Sequence, residues 1–420
     1  MVLAAPSVRV TRAIATPSAL TTSVITQFSH APLLQPFDAR ILAFTTDLSR
    51  ALSADPNLRT SGAAQALAYW LRPTETQRLQ RYVQRLEGAD AVLVPRGTVF
   101  HIPPSNVDTL FVYSWALALL VGNRNVVRLS ANLSGLGAHI AALTSSVLAR
   151  PVHRDVAAGT AFVQYGHEEE PTRALSALCD VRVLWGGDAA VLRLRTVPLA
   201  PHAIELVFPD RYSGAALDVR AVDALGADAR DALADRFAAD AFMFGQNACA
   251  SPRLVAWIGD SDAATRVAAD FWQRVARALA HRGITVDASD VLRKFTASAS
   301  SAINEPVKDV VRVCPEITVV RLHTLDDLQR VTPGSGFFHE ISLASLNDLA
   351  PHVRRRDQTL TVFGFSREEL LAMVRTINGR GIDRLVPVGQ ALAFDHVWDG
   401  YDLLQQFTRR ISLPSCEHVR

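Results

Sequence analysis

The chain is 420 residues long and 49% hydrophobic, which exceeds what one core usually serves and favours two domains. Its 43 basic and 41 acidic residues leave a formal charge of +2, so no field favours nucleic acid or an anionic membrane. Lys294 and Lys308 are the only lysines, an arginine bias that reads as genomic composition rather than function.

The opening MVLAAPSVRVTRAIATPSALTTSVITQF breaks its apolar residues with Pro, Arg, Ser and Thr, so it shows no signal-peptide core and reads as an extended arm or a poorly ordered leader. A helical region follows from about Phe37 to Leu86, interrupted at Pro73. Next come AVLVPRGTVFHI as strand, turn and strand, DTLFVYSWALALLVG as an apolar helix, NVVRLS as a buried strand and GLGAHIAALTSSVLAR as a helix. The run from Phe111 to Gly122 is too short for a membrane span, which needs about 20 residues. AFVQYG, a helix through ALSALCD, the strand VRVLW, the turn GGD, a short helix and the strand AIELVF continue the alternation. Strands alternating with helices predict parallel βαβ units, a framework that binds dinucleotides at the carboxyl ends of its strands. A long Ala/Asp/Arg helix, about Val219 to Ala241, leads into FGQNACASPRLVAWIGD. Beyond it a second α/β series holds LVAWIG, AATRVAADFWQRVARALAHRG, ITVVRLHTL, FFHEISL, TLTVFG and REELLAMVRTI, which places a domain boundary near Asp240.

Three stretches carry candidate chemistry. In HIPPSN, Ser105 and Asn106 stand where a strand ends and a helix starts, so they read as helix caps or, for the Asn106 amide, as a donor to an oxyanion. The two readings are compatible. His101 beside them reads as a strand-edge histidine more than as a site residue. In VRVLWGGDAAVLRLR, Gly186 and Gly187 join a strand to a helix start, where backbone N–H groups face a phosphate or simply make a turn. The full GxGxxG spacing is missing, which argues against an ordinary Rossmann fingerprint.

The third stretch is the cysteine loop. Cys179, Cys249, Cys314 and Cys416 are far apart and form no CxxC or Cys/His pattern, so no metal site and no disulfide scaffold is expected, and a reducing cytoplasm fits. Cys179 ends a helical pattern, Cys314 lies in a strand pattern and Cys416 is near the C-terminus; each reads as a passive small residue. Cys249 has small or polar neighbours from Gly245 to Ser251, and Pro252 restricts Ser251 to an extended shape. It reads as core filler or as a thiolate nucleophile with room for a substrate.

Taken in order, AYWLR (68–72), RGTVFHIPPSNVDTLFVYSWALALLVGNRNVVRLS (96–130), WGGD (185–188), DRYS (210–213), FGQNACASPRLV (244–255) and VPVGQALAFDHVWDGYDLLQQFTRRI (386–411) resemble the aldehyde dehydrogenase superfamily. Within it they are similar to the acyl-CoA reductase family typified by the fatty-acid reductase of bacterial luminescence systems. The resemblance covers most of the chain. It implies an α/β, aldehyde-dehydrogenase-like fold with a Rossmann-like cofactor-binding domain and a second α/β catalytic domain. The implied divisions are 1–240, a 241–380 domain carrying the cysteine, and a 381–420 segment returning to the active site or an oligomer interface.

Carried over by position, the resemblance makes Cys249 the nucleophile and Asn106 the side-chain donor to the oxyanion, with the Cys249 N–H as second donor. Arg128, Ser130, Gly186 and Gly187 would lie along a nicotinamide cofactor; an arginine at 128, where the superfamily often has lysine, favours NADPH, with NADH also admissible. Glu340 in FFHEISL matches the superfamily's ribose-binding glutamate. One departure is that AIELVFPDRYS lacks the glycines of the ELGG-like strand that carries a water-activating glutamate, and Glu205 falls about two residues early for that base. The implied reaction is NAD(P)H-dependent reduction of an acyl-CoA or acyl-carrier-protein thioester to an aldehyde through an acyl-cysteine, in a cytoplasmic homo-oligomer that has no membrane span and binds no nucleic acid. The rival readings are an oxidative aldehyde dehydrogenase forming an acid, and a catalytically silent scaffold subunit.

Overall fold

A computed structural model describes residues 11–12, 17–29, 31–88, 90–104 and 107–414, so the expectations for Ser105, Asn106 and Cys416 fall outside the described residues. The chain divides into two compact units, Met1–Pro209 with Phe394–Arg420, and Asp210–Ala393.

The first unit is built on strands β1 (Thr11–Arg12), β3 (Thr98–Ile102), β4 (Arg124–Ser130), β5 (Thr160–Tyr165), β6 (Val181–Trp185) and β7 (Ile204–Phe208), while β2 (Ala91–Pro95) lies outside that sheet. Their order is β1-β5-β4-β3-β6-β7, and every pairing is parallel. The chain leaves β3 toward β4 and β5, then returns to lay β6 on the other side of β3. That reversal is a topological switch point, where ligands of open α/β sheets settle beyond the strand carboxyl ends. All five residues of TVFHI and of VRVLW are buried, as expected of strands covered on both faces. Helix 110–120 is apolar on every side and is buried from Phe111 to Leu120. Pro73 does not merely interrupt the helical opening; it is the first residue of helix Pro73–Leu86, where its missing N–H costs nothing.

The second unit contains β8 (Tyr212–Asp218), β9 (Pro252–Ile258), β10 (Val307–Cys314), β11 (Ile317–Leu322), β12 (Phe337–Leu343), β13 (Asp357–Phe363) and β14 (Arg384–Pro387). The order is β10-β11-β12-β9-β8-β13-β14, parallel except for β10 against β11. Alternate residues feed two cores: Ala215, Leu217, Val255 and Trp257 on one face, Ala216, Leu254, Ala256 and Ile258 on the other. The chain then re-enters the first unit, where β15 (Val397–Trp398) pairs with β16 (Tyr401–Asp402) and β17 (Thr408–Ser412) runs antiparallel to β2.

The division differs from the expected one at both ends. The Ala/Asp/Arg stretch is two helices, Val219–Asp223 and Ala227–Phe242, and Leu233, Phe237 and Ala241 pack with Trp257, Phe271 and Trp272. That packing puts it in the second unit, which begins at Asp210 rather than near Asp240. Its composition is explained by the facing helix Ser261–His281: small alanines allow close approach, and Arg274 pairs with Asp231 at 2.6 Å and Arg282 with Asp235 at 2.8 Å. At the other end, β14 pairs with β13, which carries the second unit past residue 381 to Ala393. Among the described residues no helix is long and apolar enough to cross a membrane.

Candidate active site

Cys249 lies in the loop between helix Ala227–Phe242 and β9, half-buried between buried Ala248 and Ala250. The loop turns through two left-handed residues, Gly245 (φ 57°) and Gln246 (φ 63°). Such a φ is uncommon for glutamine and persists only when surroundings fix it. Here the fixing group is the Gln246 side chain, which is fully buried. Its Oε1 accepts the N–H of Gly336 (2.9 Å) and Phe337 (3.0 Å), and its Nε2 donates to the carbonyls of Pro252 (2.9 Å) and Phe337 (3.0 Å).

Further bonds hold the rest of the loop. Ser213 Oγ donates to the Cys249 carbonyl at 2.6 Å, Ser251 Oγ to that of Asp240 at 3.0 Å, and the Ser335 N–H to that of Gly245 at 2.9 Å. The 334–336 loop is secured in turn by buried Lys294, whose Nζ donates to the carbonyls of Ser335 and Pro315 at 2.7 Å each. Burial lowers the Lys294 pKa to about 8. At the sulfur itself, Gln358 Nε2 is placed as a donor to Cys249 Sγ at 3.6 Å.

The other described cysteines differ. Cys179 caps helix Glu169–Leu178, where burial pushes its thiol up to about 12, and burial also raises the Cys314 thiol. Both are held as thiols, the unreactive form.

In the first unit, Arg128 and Ser130 stand at the carboxyl end of β4, and Gly186 and Gly187 just beyond β6, so all four lie along the edge formed by β4, β3 and β6. The Arg128 guanidinium donates to the Gly166 carbonyl and lies over the Tyr165 ring, 5.0 Å from its centroid, while its buried Nε has no protein partner. The Gly186 N–H is committed to the Phe208 carbonyl at 3.1 Å, so it is no phosphate donor. What the glycines give is space: a Cβ on Gly187 would meet nothing within 4 Å, and one on Gly186 only Ala190 at 3.8 Å. Gly187 caps helix Asp188–Arg195, whose first N–H groups point outward. An open crevice edge, a helix start and an arginine fit a dinucleotide.

Three carboxylate and imidazole readings are settled by their partners. Glu340 is not a ribose ligand: its buried carboxylate accepts the indole N–H of Trp257 (3.0 Å) and Trp272 (2.5 Å) and the Arg321 Nε (2.8 Å). Interior donors saturate it. Glu205 is tied to Arg182 and, at 3.1 Å, to Arg195, so it is no free base. His101 is structural, but lies at the sheet centre rather than an edge; its ring meets Ser114 Oγ at 2.8 Å and Asn125 Oδ1 at 3.0 Å. Burial lowers its pKa to about 4, which keeps it neutral.

Sequence reasoning does not single out Gln246, Ser213 or Gln358. Of these only Gln358 leaves a signal, a glutamine at the start of the β-branched run TLTVF. Among the described residues no group of three or more His, Cys, Asp or Glu is placed to hold a metal ion.

The family model described as acyl-CoA reductase (LuxC) matches residues 72–309. No curated protein matches the sequence. Among solved structures, the chain is similar to aldehyde dehydrogenase 21 from Physcomitrella patens in complex with succinate (11% identity, TM-score 0.68, 96% of this chain and 92% of that one). It is also similar to a lactaldehyde dehydrogenase (12%, 0.67, 95% and 91%) and to a 1-pyrroline-5-carboxylate dehydrogenase from Thermus with bound NAD (15%, 0.65, 94% and 85%). At these identities the likeness shows the fold, which is the aldehyde-dehydrogenase-like α/β fold expected from the sequence.

Proposed function

The chain belongs to the acyl-CoA reductase (LuxC) family, an oxidoreductase family of the acyl and aldehyde level, and on that premise we propose that it reduces an acyl thioester to an aldehyde through an acyl group carried on Cys249. The observation that carries the reading is the placement of Cys249: half-buried in a loop braced by the Gln246 side chain and by Ser213, with the Gln358 Nε2–H facing its sulfur.

The Cys249 thiolate attacks the thioester carbonyl, and the thiol of coenzyme A or of a carrier protein leaves. Asn106 and the Cys249 N–H are the donors we assign to the oxyanion. Arg128, Ser130 and the space over Gly186 and Gly187 hold a nicotinamide cofactor, with NADPH favoured by the arginine. When bound in reduced form, that cofactor supplies the hydride. Glu205, which falls about two residues early for the water-activating position, is ion-paired with Arg182 and Arg195 and is not assigned as a base.

The test is a panel of acyl-CoAs with NADPH or NADH, followed by cofactor oxidation and by intact mass, with Cys249→Ala beside the natural protein. Aldehyde formation and acyl adducts, both abolished in the variant, are the expected result. Unchanged turnover in Cys249→Ala, or release of free acid from aldehyde and NAD(P)+ without coenzyme A, would overturn the reading, the latter in favour of an oxidative dehydrogenase.

A further inference from the structure

The sheet of the second unit is irregular on both sides of β8, beside the cysteine loop. β13 advances from Asp357 to Leu360 while β8 advances only from Tyr212 to Gly214, and β9 advances from Pro252 to Leu254 while β8 moves from Ser213 to Gly214. Extra residues of this kind re-aim side chains and recur beside active sites. Here they bring Gln358, completely buried, to the Cys249 sulfur, with Nε2 at 3.6 Å. At the other end of the amide, Thr359 Oγ1 donates to Gln358 Oε1 at 3.4 Å. The Ser213 hydroxyl proton goes to the Cys249 carbonyl at 2.6 Å and its oxygen accepts the Thr359 N–H at 3.2 Å, so one serine ties the backbone that carries the sulfur to the residue after Gln358.

We propose that Gln358 is a catalytic residue whose side-chain N–H holds the Cys249 sulfur as a thiolate before attack and as a leaving group afterwards, while offering no base that activates water. The proposal rests on the reading of Cys249 as nucleophile. A donor to the charged form of a group favours that form, and a neutral amide donates at every working pH but accepts no proton from water. In the first step a sulfur pair of Cys249 forms the new C–S bond, and the substrate's C–S bond breaks, its pair leaving with the departing thiolate. Hydride from the reduced nicotinamide adds to the acyl carbon and leaves a thiohemiacetal alkoxide, whose oxygen pair re-forms the carbonyl. The C–S bond to Cys249 then breaks, and the pair returns to sulfur, where the Gln358 N–H meets it.

The charged and titratable groups on the surrounding elements have other partners. Arg211 pairs with Asp383 (2.6 Å), Arg330 with Asp357 (2.7 Å), and Arg253 donates to the carbonyls of Arg211 (2.7 Å) and Gln246 (3.4 Å). Asp240 accepts the N–H of Gly389 and Ala391, Lys294 holds two carbonyls, and Tyr212, His339 and Glu305 form a buried chain with links of 3.1 Å.

The experiment follows iodoacetamide alkylation of Cys249 against pH, by the mass of its peptide, in the natural protein, Gln358→Met and Gln358→Glu, with steady-state kinetics alongside. In Gln358→Met the half-rise is expected to move up by about one pH unit and kcat to fall about tenfold, with KM for the thioester unchanged. In Gln358→Glu the half-rise moves higher still, and free acid appears from the acyl-cysteine; if no acid appears, the part of the proposal concerning water fails. A Met variant that alkylates like the natural protein overturns the assignment. So does a natural-protein profile rising only near an ordinary thiol's pKa of about 8.5; that measurement and the Glu variant decide the matter if the Met variant does not fold. Loss of turnover in Cys249→Ala with normal behaviour in Gln358→Met condemns Gln358 alone, whereas persisting turnover in Cys249→Ala condemns the nucleophile.

Discussion

Gln246 and Phe337 exchange hydrogen bonds in both directions: the Phe337 N–H donates to Gln246 Oε1 and Gln246 Nε2 donates to the Phe337 carbonyl, each at 3.0 Å. The side chain thus pairs with the first residue of β12 as a strand would, and the same bonds hold its own backbone in the left-handed region. Gln246→Ala removes the brace, leaves the buried Gly336 amide without its acceptor and the Pro252 carbonyl without this donor, while the Phe337 N–H keeps the Gly334 carbonyl at 3.2 Å. The expected cost is about 3 kcal/mol, at roughly 1–3 kcal/mol per buried polar group left unpaired. The thermal midpoint should fall, and Cys249 should alkylate more slowly than in the natural protein; an unchanged midpoint would show that the loop stands without its strut.

Two glycines give opposite expectations. At Gly336 (φ 83°) an added Cβ would lie 1.8 Å from the Glu316 carbonyl oxygen, so Gly336→Ala must move backbone and should cost at least about 3 kcal/mol. At Gly187 the backbone is ordinary and a Cβ meets open space, so Gly187→Ala should melt like the natural protein. If that space receives cofactor phosphates, the same variant should bind NADPH about tenfold more weakly, a change of about 1.4 kcal/mol and the scale of one hydrogen bond. A fluorescence titration of NADPH distinguishes a cradle from a turn.

The first βα series was legible because its strands are buried on both faces and read as continuous apolar runs, as VRVLW does. The cysteine loop was legible through its small neighbours. The unit boundary was not, because helix Ala227–Phe242 carries no linker and its partners, Trp257 and Trp272, come later in the chain. Helix Ala288–Asn304 leaves no signature because ASDVLRKFTASASSAIN is rich in Ser and Ala and has Leu292, Phe295 and Ile303 exposed, so no buried stripe marks it. Gln358 could not be read as a sulfur partner, since the extra residue in β13 that aims it exists only in the paired sheet.

The two units should respond oppositely to acid. His101, in the first, has its pKa lowered from 6.5 to about 4, so the unfolded chain takes the proton first. Its contribution is fully present above about pH 6.5 and is lost as pH falls toward 4. Asp240, in the second, is raised by burial from 3.8 to about 6, so the folded state holds its proton more tightly. Its contribution is present below about pH 3.8 and is lost as pH rises through 6. At about 1.4 kcal/mol per pH unit, each effect approaches 3 kcal/mol over its window. Asp240→Asn should therefore make stability climb more steeply between about pH 4 and 6, and His101→Gln should make it climb less steeply. Melting curves across this range test both, and parallel pH profiles for Asp240→Asn and the natural protein would sink the assignment.

Glu340 separates a structural carboxylate from a cofactor ligand. Two indole N–H groups and the Arg321 guanidinium converge on it, and each needs an acceptor. Glutamine in its place keeps one oxygen but turns an NH2 toward these donors, and it removes the charge that Arg321 faces. Breaking a partly buried pair of this kind should lower stability by about 2–4 kcal/mol. Because Arg321 keeps Asp309 at 3.5 Å, the loss should stay short of unfolding the chain. A ribose ligand would behave the other way, with little change in melting and a weaker cofactor complex. Glu340→Gln is expected to show a lower thermal midpoint with altered tryptophan emission, since Trp257 and Trp272 lose their carboxylate, and an unchanged NADPH dissociation constant. A marked rise in that constant at unchanged stability would return Glu340 to the cofactor site.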